Sequence, residues 1–254
     1  KKRDITYTNY EWEGEAEGAP VVYELDGTIG SLIEETRVDP YLMLSGKGDV
    51  FSWEAGLRYE TTRSKIRYSE DDEVEGAARN DYNELLPSLH LKWDLTDADR
   101  ISLSLARSVK RPNFNELVPA LLDGEFGDND YIGNPHLDPE TSNGIDLGFE
   151  HRLGKQGVIG VNFFYRDVKN LIELVNTGGW SEDAQDSYEE GLEEFLEENP
   201  GSTEADFEFD PESWLFTSAN VGDGKVYGVE FDLSTPLTAF DMPNTGVFFN
   251  YTYL

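Results

Sequence analysis

Imidazoles are the natural first place to look for chemistry, and this sequence has three: His90, His136 and His151. None sits in an HExxH pattern or at any local zinc spacing. Cysteine is absent, which removes thiolate metal sites, thiol nucleophiles and disulfides together. Gly222 and Gly224 do not open a helix and make no nucleotide loop. Carboxylates number 52 against 20 Lys and Arg, for a formal charge of −32. With so many acids some pair is bound to look catalytic, and nothing in the sequence selects one. No catalytic residue, no metal ligand and no cofactor is therefore expected, and the chain is not read as an enzyme. The charge also argues against nucleic acid as a partner, because phosphate binding needs clustered cations.

Two stretches remain as places where something could bind. Residues 176–214 hold 14 acidic residues and no Lys or Arg. Carboxylate oxygens suit Ca²⁺ or Mg²⁺, yet no EF-hand pattern is present, and a solvated loop explains the charge equally. Residues 109–143 form the better ligand candidate. They offer Lys110, Arg111, Asn113, Asn115, Tyr131, Asn134 and His136 among apolar residues. The alternative is that the Arg-Pro and Asn-Pro pairs there only steer the chain, since a residue before proline is held extended.

The elements that must position these residues show a period of two. Phe51, Trp53, Ala55, Leu57 and Tyr59 alternate with Ser52, Glu54, Gly56, Arg58 and Glu60. Leu85, Pro87, Leu89, Leu91, Trp93 and Leu95 alternate with polar residues. So do Ile101, Leu103 and Leu105; Ile145, Leu147 and Phe149; Ile159, Val161, Phe163 and Tyr165; Val229, Phe231 and Leu233; and Val247, Phe249, Tyr251 and Tyr253. Such alternation predicts strands with one apolar and one polar face. Phe164 breaks the second face of its run. Residues 4–12 and 35–45 read as two further strands, the latter weakened or bulged at Pro40. Tyr188, Leu192, Phe195 and Leu196 predict a short surface helix inside the acidic stretch. About nine strands are legible.

The connections sort by length. Long ones are expected after Trp12, Tyr59, Val109 and Val175, and short ones after Ser45, Leu95, Leu153 and Thr235. An up-and-down sheet with that alternation puts all its long loops at one end. Transmembrane β-barrels have this design, with short periplasmic turns, long extracellular loops and aromatic girdles. No apolar run is long enough for a membrane helix, which leaves a membrane barrel open. The alternative is a soluble antiparallel sandwich with one buried face. In a barrel the polar set lines the lumen: Glu54, Arg58, Glu60, His90, Lys92, Asp146, Glu150, Arg166, Glu230 and Asp232, with Ser and Asn between them. Both signs of charge occur there, so ion-pair ladders are expected, and such groups would be costly facing lipid.

Four segments carry a resemblance: RPNFNEL at 111–117, GNPHLDPETS at 133–142, IDLGFEHRL at 145–153 and FFYRDVKNLI at 163–172. In this order and spacing the chain resembles the central barrel of TonB-dependent outer-membrane receptors. The resemblance implies an all-β, antiparallel up-and-down transmembrane barrel of about 22 strands, of which residues 1–254 supply fewer than half. It also implies residence in a Gram-negative outer membrane, with lipid and lipopolysaccharide around the wall. The function implied is energised uptake of a scarce, bulky solute: siderophore, cobalamin, haem or oligosaccharide. The TonB complex would act through a plug domain that is expected to precede Lys1, with further strands after Leu254. Residues 1–254 are thus expected to be part of one barrel domain, with 176–214 an acidic extracellular insertion. In such transporters loops like 109–143 help to close over the ligand. A secreted acidic β-sheet binding module and a passive porin are the competing readings.

Overall fold

Alternating apolar and polar residues leave every strand with two unlike faces, and the way the strands pair decides whether those faces align. In the computed structural model residues 2–13, 22–70, 73–122, 128–154, 156–238 and 241–254 are described. The strands are β1 (Lys2–Glu13), β2 (Val22–Val38), β3 (Tyr41–Lys47), β4 (Phe51–Glu70), β5 (Glu73–Asp94) and β6 (Asp99–Lys110). Two short strands, β7 (Leu121–Leu122) and β8 (Asp130–Ile132), precede β9 (Glu140–Leu153), β10 (Gly157–Trp180), β11 (Trp214–Leu237) and β12 (Met242–Tyr253). Helix α1 (Phe114–Leu117) follows β6, and helix α2 (Glu182–Glu198) lies between β10 and β11.

Strands β2 and β3 pair with successive stretches of β4 and act as one. The main sheet therefore has nine strand positions in chain order, each antiparallel to the next. It does not close: among the described residues β1 pairs only with β2, and β12 only with β11. The sheet is part of a larger barrel wall.

Register lines up the faces. Leu91, Leu103, Leu147, Phe163, Val229 and Tyr253 lie side by side across six strands. Trp93, Ile101, Phe149, Val161, Phe231 and Tyr251 form the next row. Much of this face is bare: Trp93 is 53% exposed, Leu147 46% and Phe163 55%. No second sheet covers it among the described residues, and a monomer in water rarely exposes so large an apolar patch. A soluble sandwich would bury this face, and the described residues leave it bare. No described helix is long and apolar enough to cross a membrane, which says nothing about strands.

The opposite face is largely polar, and Phe164 is one of its apolar exceptions. It sits between Asp146 and Gly228 in register. A Cβ on Gly228 would come within 2.8 Å of the Phe164 ring, so glycine opens the space the ring fills. The Arg166 guanidinium lies 6.0 Å from the ring centre.

Four expectations need correction. The polar stretch after Tyr59 is no long loop: β4 continues to Glu70, and β5 begins at Glu73. The strand expected over 35–45 is interrupted at Asp39 and Pro40, where proline has no N–H to give. Its carbonyl still accepts from Tyr59 N–H at 3.0 Å, so the ladder resumes. Strand β10 also runs past Val175 to Trp180. The predicted helix is longer than its apolar spacing indicated, starting at Glu182. Connections at 14–21, 71–72, 123–127, 155 and 239–240 lie outside the described residues.

Candidate functional site

Residues 111–122 and 128–139 do not stand off the sheet. They cross its polar face at the end away from the short turns and form a strap. Asn113 opens α1, and the Glu116 carboxylate accepts from the Asn113 N–H at 2.6 Å, satisfying a donor at the helix start. Leu117, Val118, Ala120 and Leu137 then pack on Ile33 and Ile66, which project from the polar face of β2 and β4. Ile33 is 1% exposed and Ile66 0%. Gly133 passes so close to the strap's first limb that a Cβ would lie 2.1 Å from the Val118 carbonyl oxygen.

Side-chain amides stitch the strap at both edges. On β5, Asn80 donates to the carbonyls of Pro135 and Leu137 at 2.9 and 2.8 Å. On β11, Asn220 donates to the Asp138 carbonyl and accepts from its N–H, both at 2.9 Å. Tyr131 shares a 2.8 Å hydrogen bond with Ser218, and Thr217 donates to the Ile132 carbonyl at 2.7 Å. Strand β8 adds a parallel ladder to residues 215–217 of β11.

Below the strap the polar face carries ion pairs. Glu60, 1% exposed, binds Arg58 at 2.6 Å and also Arg111. Arg107 meets Glu84 at 2.9 Å. Lys110 meets Glu140 at 3.1 Å, and Glu140 also accepts from Ile172 N–H at 3.0 Å. Arg166 meets Asp146 at 2.8 Å. Asn162 donates to Glu230 at 3.2 Å, and Asn250 donates to Asp232. Arg100 binds Asp94 at 2.7 Å and lies 3.9 Å from Glu150. Nearer the short turns, a depression of about 560 Å³ is lined by Glu54, His90, Lys92, Ser52, Ser102 and Ser104. His90 shares a 3.0 Å hydrogen bond with Ser104. Burial, and next the neighbouring Arg37 charge, draws the Arg111 guanidinium's pKa below its ordinary value.

The seven ligand candidates thus divide. Lys110 and Arg111 are held in ion pairs, Asn113 opens α1, Tyr131 is buried against Ser218, and Asn134 donates to the Ser218 carbonyl at 3.2 Å. Asn115 and His136 are exposed. The sequence does not reveal Asn80, Ser218 or Asn220 as partners, since their roles depend on contacts far along the chain. Their only local signal is an amide or hydroxyl within a strand. The acidic connection also has a core of its own. Tyr188 of α2 lies 5.2 Å from Trp180 and 5.4 Å from Phe209, ring centre to ring centre, and Phe195 lies 5.5 Å from Phe207.

An open antiparallel wall with one bare apolar face, one ion-paired polar face and all long connections at one end is part of a β-barrel of the outer membrane. The family model for TonB dependent receptor-like β-barrels matches residues 6–254, and the chain belongs to that family. Its members are outer-membrane proteins of Gram-negative bacteria, and transporters in place of enzymes. Among solved structures, the chain is similar to the Serratia marcescens hemophore receptor HasR, in complex with its hemophore HasA and heme. The TM-score is 0.54 at 14% identity, over 92% of this chain and 38% of that one. The Pseudomonas aeruginosa ferric enterobactin receptor PfeA gives a TM-score of 0.49 at 20% identity, over 99% and 39%. The Yersinia pestis ferric yersiniabactin uptake receptor FyuA gives 0.49 at 15% identity, over 84% and 27%. The chain spans about two fifths or less of these receptors.

Proposed function

We propose that residues 1–254 form part of the wall of a transporter that draws a scarce, bulky solute of iron-chelate type across the outer membrane. The observation that supports this most directly is the strap. A barrel whose long loop folds onto its own lumen face is built to hold or release something in that lumen. The ion-paired face, from Glu54 and His90 to Glu230 and Asp232, is the lumen lining. Its mixed charges suit contact with a plug domain, through which the TonB complex would supply energy. Among the candidate residues, Asn115 and His136 are exposed and free to meet a ligand. HasR is a hemophore receptor seen in complex with heme, so an iron chelate is the class to test first, ahead of cobalamin or an oligosaccharide. The acidic connection that holds α2 is an extracellular insertion in this reading, and lipid and lipopolysaccharide surround the wall.

The experiment is uptake of radioactive iron, offered as haem or as siderophore complexes, by cells with and without the complete receptor gene. Uptake should fall when either the receptor or TonB is removed. Uptake that depends on the receptor but not on TonB would turn the reading toward a passive pore. No change with any iron chelate would remove that ligand class.

A further inference from the structure

The acidic connection between β10 and β11 carries a helix that its own charges work against. Within α2, Asp186, Glu189, Glu193 and Glu197 follow one another at three or four residues and form one exposed stripe about 16 Å long. Like charges at that spacing repel, and the last turn of α2 has no basic residue to balance the negative end of the helix. Between Asn176 and Trp214 the sequence has no Lys or Arg to offer. The helix is held instead by rings on its other side, Tyr188 on Trp180 and Phe209, and Phe195 on Phe207.

Beside the stripe an open groove of about 490 Å³ runs between α2 and the nearby ends of β10 and β11. Trp180, Tyr188 and Leu215 line it, Glu189 stands at its rim, and Gly179 contributes no side chain to it. The Trp180 and Tyr188 ring centres are 5.2 Å apart with their planes at 59°, so the two rings form a corner. Both are half-buried, and Glu189 is exposed. Aromatic rings beside a carboxylate attract an ammonium or guanidinium group carried on an apolar stem. One small cation would use Glu189 and leave the other three carboxylates idle. Several cations along one polypeptide use all four.

We infer that the groove and the stripe together form a docking surface for a basic polypeptide. The surface rests on the reading of residues 176–214 as an extracellular insertion, which makes it reachable from outside. One arginine or lysine side chain of the partner lies in the groove, its stem against Leu215 and its cation by the Trp180 and Tyr188 rings and Glu189. Further cations of the partner pair with Asp186, Glu193 and Glu197 and relieve the repulsion along the helix. A chain of formal charge −32 draws such a partner in from a distance. Docking there also brings the partner to the strap, because Asp130 of β8 accepts from the Glu182 N–H at 2.7 Å and ties the start of α2 to it.

The complete receptor, purified in uncharged detergent, is titrated with a fluorescent hexa-arginine peptide by anisotropy at low ionic strength. A stripe variant carries Asp186→Asn/Glu189→Gln/Glu193→Gln/Glu197→Gln. A control removes as many charges from the other flank of α2, as Asp183→Asn/Glu190→Gln/Glu194→Gln/Glu198→Gln. Gly179→Leu fills the groove, since a Cβ there already lies 3.8 Å from Leu215. An exposed ion pair is worth about two- to threefold, so the stripe variant should bind roughly 30-fold more weakly. The control should lose far less, Gly179→Leu should bind several-fold more weakly, and added salt should weaken binding throughout. Equal losses in the two four-charge variants would reduce the surface to general charge attraction and overturn it. Unchanged binding by Gly179→Leu would also overturn it, as would arginine amide binding as tightly as the peptide, which would make the groove a small-cation site. Near-ultraviolet circular dichroism of the ring cluster reports the folding of each variant, and the two four-charge variants, altered only at exposed positions, decide the matter if Gly179→Leu misfolds. Peptide binding is measured on the purified receptor and orientation by labelling in cells, so a failure of the docking surface is distinct from a failure of the extracellular reading.

Discussion

Arg111, the first residue of the strap, is ion-paired with Glu60 of β4, whose side chain is 1% exposed. The pair fixes the start of the strap to the polar face just where β6 ends. Glu60 also serves Arg58 at 2.6 Å, whereas Arg58 is itself 49% exposed. One buried carboxylate thus neutralises two guanidinium groups, of which Arg111, 24% exposed, has less water to fall back on than Arg58.

That asymmetry orders two substitutions. Leaving a buried charge without its partner costs about 3–5 kcal/mol. Glu60→Ala takes the carboxylate from Arg111, which keeps some contact with water, and should cost a part of that amount. Arg111→Ala leaves Glu60 still paired with Arg58 and should cost less. Denaturant unfolding of the complete receptor in lipid vesicles measures both, with limited proteolysis reporting whether the strap is freed. A larger loss for Arg111→Ala would show that the strap is held elsewhere.

The two faces predict a second pair of outcomes. Leu103 lies between Leu91 and Leu147 on the bare face, and Ser104 between His90 and Asp146 on the polar one. Leu103→Arg should destabilise the barrel by about 2–4 kcal/mol, the cost of a cation facing lipid near the midplane. Ser104→Arg, with Asp146 beside it, should cost far less. Reversible unfolding in vesicles separates them, and equal losses would contradict the assignment of faces.

How much of this was legible in the sequence follows from where each strand meets lipid. Between Phe51 and Tyr59 one face meets hydrocarbon and the other water, so the residues must alternate, and they do. Past Tyr59 both faces are polar or packed on the strap, and the alternation ends with its cause. Thr61, Arg63, Lys65 and Arg67 oppose Thr62, Ser64, Ile66 and Tyr68, a mixture that reads as a loop although the backbone ladder continues to Glu70. The strap was visible as a candidate from its composition. Its path was not, because Ile33, Ile66, Asn80 and Asn220 belong to strands remote in the chain. Asn134 and Tyr131, chosen as ligand residues for their polarity, spend that polarity on Ser218.

The acidic connection is predicted to respond to pH at one corner. Asp206 accepts from the Thr203 N–H and from its hydroxyl, both at 2.9 Å. The backbone bond first, then the hydroxyl, holds its carboxyl below the ordinary aspartate range. A lowered folded pKa contributes stability that is present above the ordinary value of about 3.9 and is lost as pH falls through the folded pKa. Acidification should therefore loosen the turn at 203–207 and release Phe207 from Phe195 and Tyr188. Near-ultraviolet circular dichroism of the aromatic cluster measures this. In Asp206→Asn the acid-induced change should be missing, and its persistence would assign the effect to another group.

The last prediction concerns which end of the wall faces outward. Short connections after β3, β5, β9 and β11 lie at one end, and the strap and α2 at the other. If the long end is extracellular, a residue on α2 should be reachable from outside the cell, and one at the β9–β10 turn should not. The sequence has no cysteine, so one introduced thiol is unique within it. Glu194 is exposed on α2, and Gln156 is exposed at the turn before β10. In intact cells a membrane-impermeant maleimide should label Glu194→Cys and spare Gln156→Cys, which should react only after the outer membrane is opened. Labelling of Gln156→Cys in intact cells would invert the wall and contradict the orientation.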